Sequence, residues 1–252
     1  MKTALITGAT SGIGKEMAVY LHSRGWRLIL TGRNREVLHK MAKAFGSSTR
    51  TLALDLSERG AAEKLYAFCK GTRVDFLINN AGFGVFGNFT DSSLESELEL
   101  IGVNIRALHI LTKLFLRDMT ARDSGVILNV GSIAGFTTGP MLSSYYASKN
   151  YVVRLTTAIR EELRRKGSNV QIGVLCPGPV DTDFNNRAGV TFSMKPANPR
   201  FIARYAIDQA LSGTCIILPT LSAKIGWLGM TLCPETVAAR FVYEFQKRKE
   251  KA

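Results

Sequence analysis

Cysteine and histidine are scarce in this chain of 252 residues, which contains four cysteines and three histidines. The cysteines lie far apart and form no C-x-x-C pair, and the histidines show no zinc-ligand spacing. These residues are Cys69, Cys176, Cys215, Cys233, His22, His39 and His109. The pattern argues against a disulfide-stabilised domain or a zinc finger, and it predicts reduced thiols and no metal site.

Long apolar runs are also absent. No stretch reaches the roughly 18 uncharged apolar residues that a membrane-spanning helix needs. The first predicted strand, at residues 4–7, follows Met1 and Lys2 directly and leaves no room for a secretory leader. We therefore expect a soluble, cytoplasmic protein.

Acidic residues are outnumbered, since 20 aspartates and glutamates face 33 lysines and arginines, a net charge of +13. Such an excess favours anionic partners, for example a phosphorylated cofactor, an acyl-CoA, a lipid headgroup or nucleic acid. A solvated basic surface explains the same charge. No helix combines clustered basic residues with a DNA- or RNA-binding motif, so we expect no nucleic acid partner.

Short apolar runs alternate with longer amphipathic segments from the first residue to about residue 219. The runs are nearly continuous in apolar character, which is typical of parallel strands buried on both faces. The predicted strands are residues 4–7, 28–31, 51–54, 76–79, 126–130, 170–175 and 215–218, and the longest predicted helices are 94–119 and 143–166. This order predicts an α/β fold with a Rossmann-like doubly wound sheet of about seven parallel strands and helices on both faces. We expect one domain over residues 1–252, with a basic C-terminal extension at about 220–252.

A glycine-rich turn, Thr-Gly-Ala-Thr-Ser-Gly-Ile-Gly at residues 7–14, joins the first strand to the first helix. Glycine is needed where a backbone turns tightly, approaches a pyrophosphate or packs a helix against a strand. The free N–H groups at the helix start then face the anion. The residues predicted to hold a dinucleotide here are Gly8, Thr10, Ser11, Gly12, Ile13 and Gly14.

The second strand ends without the acidic residue that usually accepts a hydrogen bond from the adenosine ribose of NAD. Arg33 and Asn34 follow the strand instead. A guanidinium at this point can bind a 2′-phosphate through two hydrogen bonds, so the sequence predicts NADP(H) in preference to NAD(H). The alternative is that Arg33 is a solvated residue at the start of the following helix.

Five further motifs appear in a fixed order along the chain. They are Asn79-Asn80-Ala81-Gly82 after the fourth strand, Asn104 in the long helix, Ser132 after the fifth strand, Tyr145 and Lys149 in a Y-x-x-x-K pattern, and Pro177-Gly178-Pro179-Val180-Asp181-Thr182 after the sixth strand. Together with the glycine-rich turn, they make the chain resemble the short-chain dehydrogenase/reductase family, in its typical single-domain branch, over about residues 3–219.

The resemblance implies a catalytic tetrad of Asn104, Ser132, Tyr145 and Lys149. It also implies cofactor contacts from Asp55, Leu56, Asn79, Ala81 and Gly82 on the adenosine side, from Tyr145 and Lys149, and from Pro177, Gly178, Val180 and Thr182 around the nicotinamide. Asn104 is implied to hold a water that links Lys149 to solvent. Asp55 can also be a helix N-cap, and Asn79 can simply join neighbouring strands.

The chemistry of these side chains agrees with the resemblance. Reduction of a ketone requires a proton as negative charge develops on the oxygen. Tyr145 is a suitable acid if its pKa is lowered, and Lys149, four residues later on the same helical face, can lower it. Ser132 would orient the carbonyl oxygen. Taken singly, each residue has an ordinary structural explanation, and we assign the neighbouring Tyr146 a structural role.

The loops beyond the carboxyl ends of the strands are rich in phenylalanine and methionine, which favours an apolar substrate. The residues concerned are Phe83, Phe86, Phe89, Phe136, Pro140, Met141, Phe184, Phe192 and Met194. A lid is expected at about residues 183–198. Ordinary loop packing is the alternative.

The tail beyond Pro219 combines apolar residues with a basic end. It could contact a membrane peripherally or gate a lipophilic substrate, and a subunit contact with a solvated end explains it equally simply. The long apolar helices 94–119 and 143–166 resemble the dimer surface of the short-chain dehydrogenase/reductase family, and this resemblance implies a homodimer or homotetramer. We therefore expect an enzyme acting on a small-molecule carbonyl or alcohol, and the alternative is a non-catalytic dinucleotide-binding redox sensor or scaffold.

Overall fold

Seven parallel strands form one sheet in a computed structural model that describes residues 1–182 and 196–250. The strands are β1 Thr3–Thr7, β2 Arg27–Gly32, β3 Thr49–Ala53, β4 Phe76–Asn79, β5 Val126–Val130, β6 Gln171–Leu175 and β7 Ile216–Ile217. Their order across the sheet is β3-β2-β1-β4-β5-β6-β7, and every neighbouring pair is parallel. The predicted doubly wound sheet is therefore confirmed.

Helices cover both faces of this sheet. They are α1 Gly12–Ser23, α2 Arg35–Phe45, α3 Ala61–Phe68, α4 Leu94–Ile101, α5 Leu108–Ala121, α6 Ser143–Arg165, α7 Pro199–Leu211, α8 Leu221–Leu232 and α9 Glu235–Glu250. Successive side chains of β1 point to opposite faces, so Ile6 packs in the layer of α1, α2 and α7, and Leu5 packs in the layer of α3, α5 and α6. Burial on both faces explains why the strands are apolar throughout.

The chain reverses its direction across the sheet at β1. It first moves outward from β1 through β2 to β3, and it then returns to form β4 on the other side of β1. Loops that leave the carboxyl ends of β1 and β4 therefore diverge and open a crevice, which is where ligands bind in sheets of this type.

The long helix predicted at 94–119 differs from the structure in one respect. Helices α4 and α5 are joined without a break by a π-helical segment, Gly102–Ala107. Such wide turns occur often at functional sites, and this one contains Asn104.

The chain beyond Pro219 forms the helix pair α8 and α9. Among the residues that the structure describes, no helix is both long enough and apolar enough to span a bilayer. The predicted lid lies almost wholly outside the described residues, as do Phe184, Phe192 and Met194.

Candidate active site

One cavity of about 710 Å³ occupies the crevice at the reversal point of the sheet. Its volume lies within the range of small-molecule sites. Eighteen of the twenty-one residues that the sequence predicts to bind the cofactor or to act in catalysis line this cavity. The predicted residues in its wall are Gly8, Thr10, Ser11, Gly12, Ile13, Arg33, Asn34, Asp55, Leu56, Ala81, Gly82, Ser132, Tyr145, Lys149, Pro177, Gly178, Val180 and Thr182.

Three predicted residues, Gly14, Asn79 and Asn104, are not in the cavity wall. Asn79 is buried, and its side-chain amide donates to Thr112 (3.0 Å) and to Asn129 (2.9 Å). Asn79 thus joins the strands and a helix in the interior, which was the alternative to cofactor contact.

The neighbouring Asn80, which the sequence analysis did not select, lines the cavity. Its amide donates to the backbone oxygens of Thr7 and Gly8, at 3.0 and 3.1 Å. Asn80 therefore fixes the start of the glycine-rich turn from the β4 side.

The glycine-rich turn has the close backbone packing that a phosphate cradle needs. Gly8 and Gly12 have φ angles of +65° and +53°, a region that favours glycine. A Cβ atom on Gly14 would lie 2.4 Å from the backbone oxygen of Gly8. Ser11 precedes α1 and makes no side-chain capping bond, so the first N–H groups of the helix can bind an anion. These residues fit a dinucleotide phosphate.

Arg33 lies at the cavity wall beside Asp55, with 3.6 Å between Nη1 and Oδ2. Burial raises the pKa of Asp55, but hydrogen bonds from Ser57 and the charge of Arg33 outweigh it, so this pKa lies below its usual value. The Arg33 side chain remains 56% exposed, which leaves its guanidinium accessible. Asn34 caps α2 by accepting a bond from the N–H of Val37 (3.0 Å).

Ser132, Tyr145 and Lys149 meet in the same part of the cavity. Lys149 follows Tyr145 by one turn of α6, and its Nζ lies 5.7 Å from the centre of the tyrosine ring. Ser132 begins a short 3₁₀ turn, Ile133–Phe136, and forms a side-chain hydrogen bond with Tyr145.

A glycine allows this turn to approach α6. A Cβ atom on Gly135 would lie 2.7 Å from the backbone oxygen of Lys149. Any larger residue would push the turn away from α6, and Ser132 would move with it.

Burial controls the proton affinities of this group. Burial raises the pKa of Tyr145, and the hydrogen bond with Ser132 offsets this only in part. Burial lowers the pKa of Lys149 to about 8, while its Nζ donates to the backbone oxygen of Val130 at 2.8 Å. The expected lowering of the tyrosine pKa is therefore absent from the protein alone, because the desolvation of Tyr145 exceeds the effect of its neighbours.

Asn104 organises the site from behind the cavity wall. Its amide nitrogen donates to the backbone oxygen of Phe83 (2.9 Å) and to Ser148 (3.0 Å), and its oxygen accepts from the N–H of Phe83 (3.1 Å). Gly82 lies between Asn104 and Lys149, since a Cβ there would be 3.0 Å from Oδ1 and 3.4 Å from Nζ. Asn104 thereby ties the loop after β4 to α6.

The C-terminal helices contribute a wall that the motifs did not predict. Residues of α8 and α9 line the cavity, among them Ile225, Met230, Phe241, Phe245 and Gln246. Tyr146 also lines it, and its hydroxyl accepts a hydrogen bond from the side-chain amide of Gln246 at 3.1 Å. The sequence showed that the tail is apolar, but it did not show that the tail packs against the cavity.

A family model described as short chain dehydrogenase matches residues 2–191. The match covers more than half of the chain. The chain belongs to this family.

Two curated relatives support the assignment. The chain is 35% identical to the very-long-chain 3-oxoacyl-CoA reductase of Mycosarcoma maydis over 181 residues, 68% of this chain but only about half (51%) of that protein. It is 31% identical to an uncharacterised oxidoreductase of Staphylococcus aureus (strain MRSA252) over 214 residues, 82% of this chain and 91% of the relative.

A solved short-chain dehydrogenase from Sphingobium yanoikuyae, in complex with NADPH, has the same fold. The TM-score is 0.82 at 27% sequence identity, over 90% of this chain and 92% of the other. By its family, the present chain is an oxidoreductase. Members of this family typically form oligomers and act on small molecules.

Among the loop residues of this chain that were predicted to form an apolar substrate site, Phe83 lines the cavity. Phe89 is exposed, and Met141 is buried. Phe136 packs against Trp227 of α8, with 6.3 Å between the ring centres. The described apolar wall therefore depends more on α8 and α9 than on the loops.

Proposed function

We propose that the protein is an NADP(H)-dependent oxidoreductase that interconverts a carbonyl and an alcohol on an apolar small molecule. The observation that carries this proposal is a single cavity shared by two sets of residues. The glycine-rich turn and Arg33 line one part, and Ser132, Tyr145 and Lys149 line another. A dinucleotide held by the first set could therefore reach a substrate held by the second.

The preference for NADP(H) rests on Arg33. Its exposed guanidinium, just after β2, can form hydrogen bonds to a 2′-phosphate. The neighbouring Asp55 carboxylate accepts hydrogen bonds from the N–H and the hydroxyl of Ser57, at 2.9 and 2.7 Å. The NADPH bound by a structural neighbour is a property of that protein and does not decide the cofactor of this one.

The cofactor preference is tested by comparing kcat/KM for NADPH and NADH. Arg33→Ala should lower kcat/KM for NADPH by about 10-fold or more, as expected for one charged hydrogen-bonding group, and leave the value for NADH nearly unchanged. Arg35→Ala is the control, because Arg35 follows Arg33 by two residues but lies outside the cavity wall. Equal kcat/KM values for both cofactors in the unaltered protein would contradict the preference.

The proposed chemistry needs a hydride, which a reduced nicotinamide supplies when it is bound. Tyr145 supplies the proton to the substrate oxygen. Its raised pKa keeps the hydroxyl protonated at neutral pH, and the charge of Lys149 stabilises the tyrosinate that forms. Ser132 donates a hydrogen bond that orients the same oxygen. Asn104 acts by position, through the loop and helix that it joins.

The decisive assay is NADPH oxidation at about 340 nm across ketones, aldehydes, quinones and 3-oxoacyl thioesters. Tyr145→Phe should reduce kcat by at least about 100-fold, the usual contribution of a general acid. Tyr66→Phe is the control, because the Tyr66 hydroxyl binds Asp118 (2.8 Å) at the surface. Tight NADPH binding without turnover of any substrate would favour the redox sensor or scaffold instead.

We also propose a homodimer or homotetramer. Leu94, Leu98 and Ile101 form an exposed apolar face on α4, and burial of such a face against a second copy would remove it from water. Leu98→Glu should reduce the molar mass measured by light scattering during gel filtration. A monomeric unaltered protein would refute the proposal.

Contact with an anionic membrane surface is proposed for α8. Leu221, Ile225, Leu228 and Leu232 repeat at helical spacing and are all exposed, and Lys224 flanks them on the same helix. The apolar face continues into the cavity wall at Ile225. Co-sedimentation with anionic liposomes at low salt tests this. A protein that stays in the supernatant, or buries this face in a dimer, contradicts it.

A further inference from the structure

Gln246 is an unusual residue of α9. The helix is largely exposed, yet Gln246 has a relative exposure of only 1%. It lies in the wall of the same cavity as Tyr145. The cavity wall therefore contains a buried polar side chain, and this side chain comes from a helix that lies outside the family motifs.

The amide of Gln246 is half satisfied. Its Nε2 donates to the hydroxyl of Tyr146 at 3.1 Å. Its Oε1 is buried and has no hydrogen-bond partner among the side chains that the structure describes, in residues 1–182 and 196–247. Buried acceptors without a partner are rare in folded proteins, and each one calls for an explanation.

Tyr146 fixes the orientation of this amide. Its ring packs directly on Gly139, where an added Cβ would lie 2.2 Å from ring atoms. Its ring centre lies 6.1 Å from that of Tyr145, in an edge-on arrangement. The orientation of Gln246 is therefore coupled through one aromatic ring to the residue proposed to transfer the proton.

The surroundings of the amide are apolar. Ile225, Met230, Phe241 and Phe245 line the cavity on the same two helices. An acceptor in such a wall attracts a hydrogen-bond donor, whereas a carboxylate or phosphate would meet it with a like partial charge. A neutral hydroxyl on an otherwise apolar molecule satisfies the acceptor and the wall together.

We propose that Gln246 Oε1 is the acceptor of a second polar subsite, which binds a hydroxyl group remote from the reacting carbonyl of the substrate. This inference rests on the proposed oxidoreductase function and specifies its substrate as a hydroxylated, largely apolar carbonyl compound. Gln246 is thus a specificity-determining residue, and Tyr146 is the positioning residue that holds it.

The test compares straight-chain methyl ketones, from octanone to dodecanone, with the same ketones that carry a terminal hydroxyl. The ratio of kcat/KM between hydroxylated and plain ketone is measured for each length. Gln246→Met should lower this ratio by about 10- to 100-fold at the length that reaches the subsite, because the hydroxyl loses its acceptor. Gln246→Glu, which keeps an acceptor oxygen, should retain most of the preference.

Gln171→Met is the matched control. Gln171 also has a buried Oε1 without a partner among the described residues, but it begins β6 and lies outside the cavity. This variant should leave the ratio unchanged. Thermal unfolding checks that each variant folds, and Gln246→Asn, which shortens the side chain, replaces the methionine variant if that one does not.

Binding separates failure of the subsite from failure of the proposed function. Thermal shifts with the hydroxylated and plain ketones need neither turnover nor cofactor. A hydroxyl-dependent shift that Gln246→Met removes supports the subsite even if no NADPH is oxidised. Equal behaviour of hydroxylated and plain ketones in the unaltered protein and in Gln246→Met, at every length, overturns it.

Discussion

Lys149 provides a prediction whose size follows from the structure. Its ammonium is buried, and its Nζ donates to the backbone oxygen of Val130 at 2.8 Å. No carboxylate forms an ion pair with it among the described side chains of residues 1–182 and 196–247. Burial lowers the pKa of Lys149 from 10.5 to about 8. Folding is therefore penalised wherever the lysine is charged.

The penalty has a defined pH window. The difference between 10.5 and about 8, at 1.36 kcal/mol per pKa unit, corresponds to about 3 kcal/mol. Below pH 8 the lysine is charged in both the folded and unfolded states, and the penalty is fully present. Between about pH 8 and 10.5 the folded state loses its proton first, so stability rises with pH, and above 10.5 the penalty is gone.

Urea unfolding of the unaltered protein and of Lys149→Met measures this directly. Between pH 7 and pH 10, the free energy of unfolding of the unaltered protein should rise by about 2 to 3 kcal/mol relative to that of the variant. Titrating groups that do not interact with Lys149 cancel in the comparison, and the lost bond to Val130 contributes a constant offset. A difference that does not change with pH would refute the assignment of a desolvated, charged Lys149.

Three further predictions concern the site and its supports. Gly14→Ala places a Cβ 2.4 Å from a backbone oxygen and should weaken NADPH binding. It should also lower the free energy of unfolding, measured in urea, by about 1–3 kcal/mol. The control Gly229→Ala lies in open space on α8 and should stabilise the protein by up to about 1 kcal/mol. Asn34→Ala removes the cap of α2 and should cost about 1 kcal/mol, with Asn34→Ser restoring most of it. Gly139→Ala should displace Tyr146 and reduce the preference for hydroxylated ketones, measured by the ratio of kcat/KM, without changing the Kd for NADPH.

The sheet could be predicted because each strand carries its own signal. Residues 76–79 and 126–130 are strands with the predicted bounds, and both are buried on both faces. Strand β7 is shorter than predicted, at Ile216–Ile217, because it pairs with β6 only opposite Val174 and Leu175. The π-helical segment was not predictable, since the apolar spacing of the two flanking helices continues across it.

The residues of the site likewise include some that local sequence patterns predict and others that only the fold brings together. The residues of the glycine-rich turn and of the Y-x-x-x-K pattern lie within single elements, so local spacing could indicate that they share a cavity. The contact between Gln246 and Tyr146 joins residues 100 positions apart in the chain. No local pattern reports such a contact, and the choice between Asn79 and Asn80 likewise depends on which side of β4 faces the crevice.

This division has a consequence for how substrate specificity can change. The proposed proton-transfer groups are supported by strands β1 to β5, by the turn at Gly135 and by α6, all of which precede residue 166. The apolar wall and the Gln246 acceptor come from α8 and α9, which follow residue 220. Substitutions in the C-terminal helices can therefore alter the shape and polarity of the substrate site while the supports of Tyr145 and Lys149 stay in place. We expect substitutions on the cavity side of α9 to change the ratio of kcat/KM between substrates far more than the Kd for NADPH.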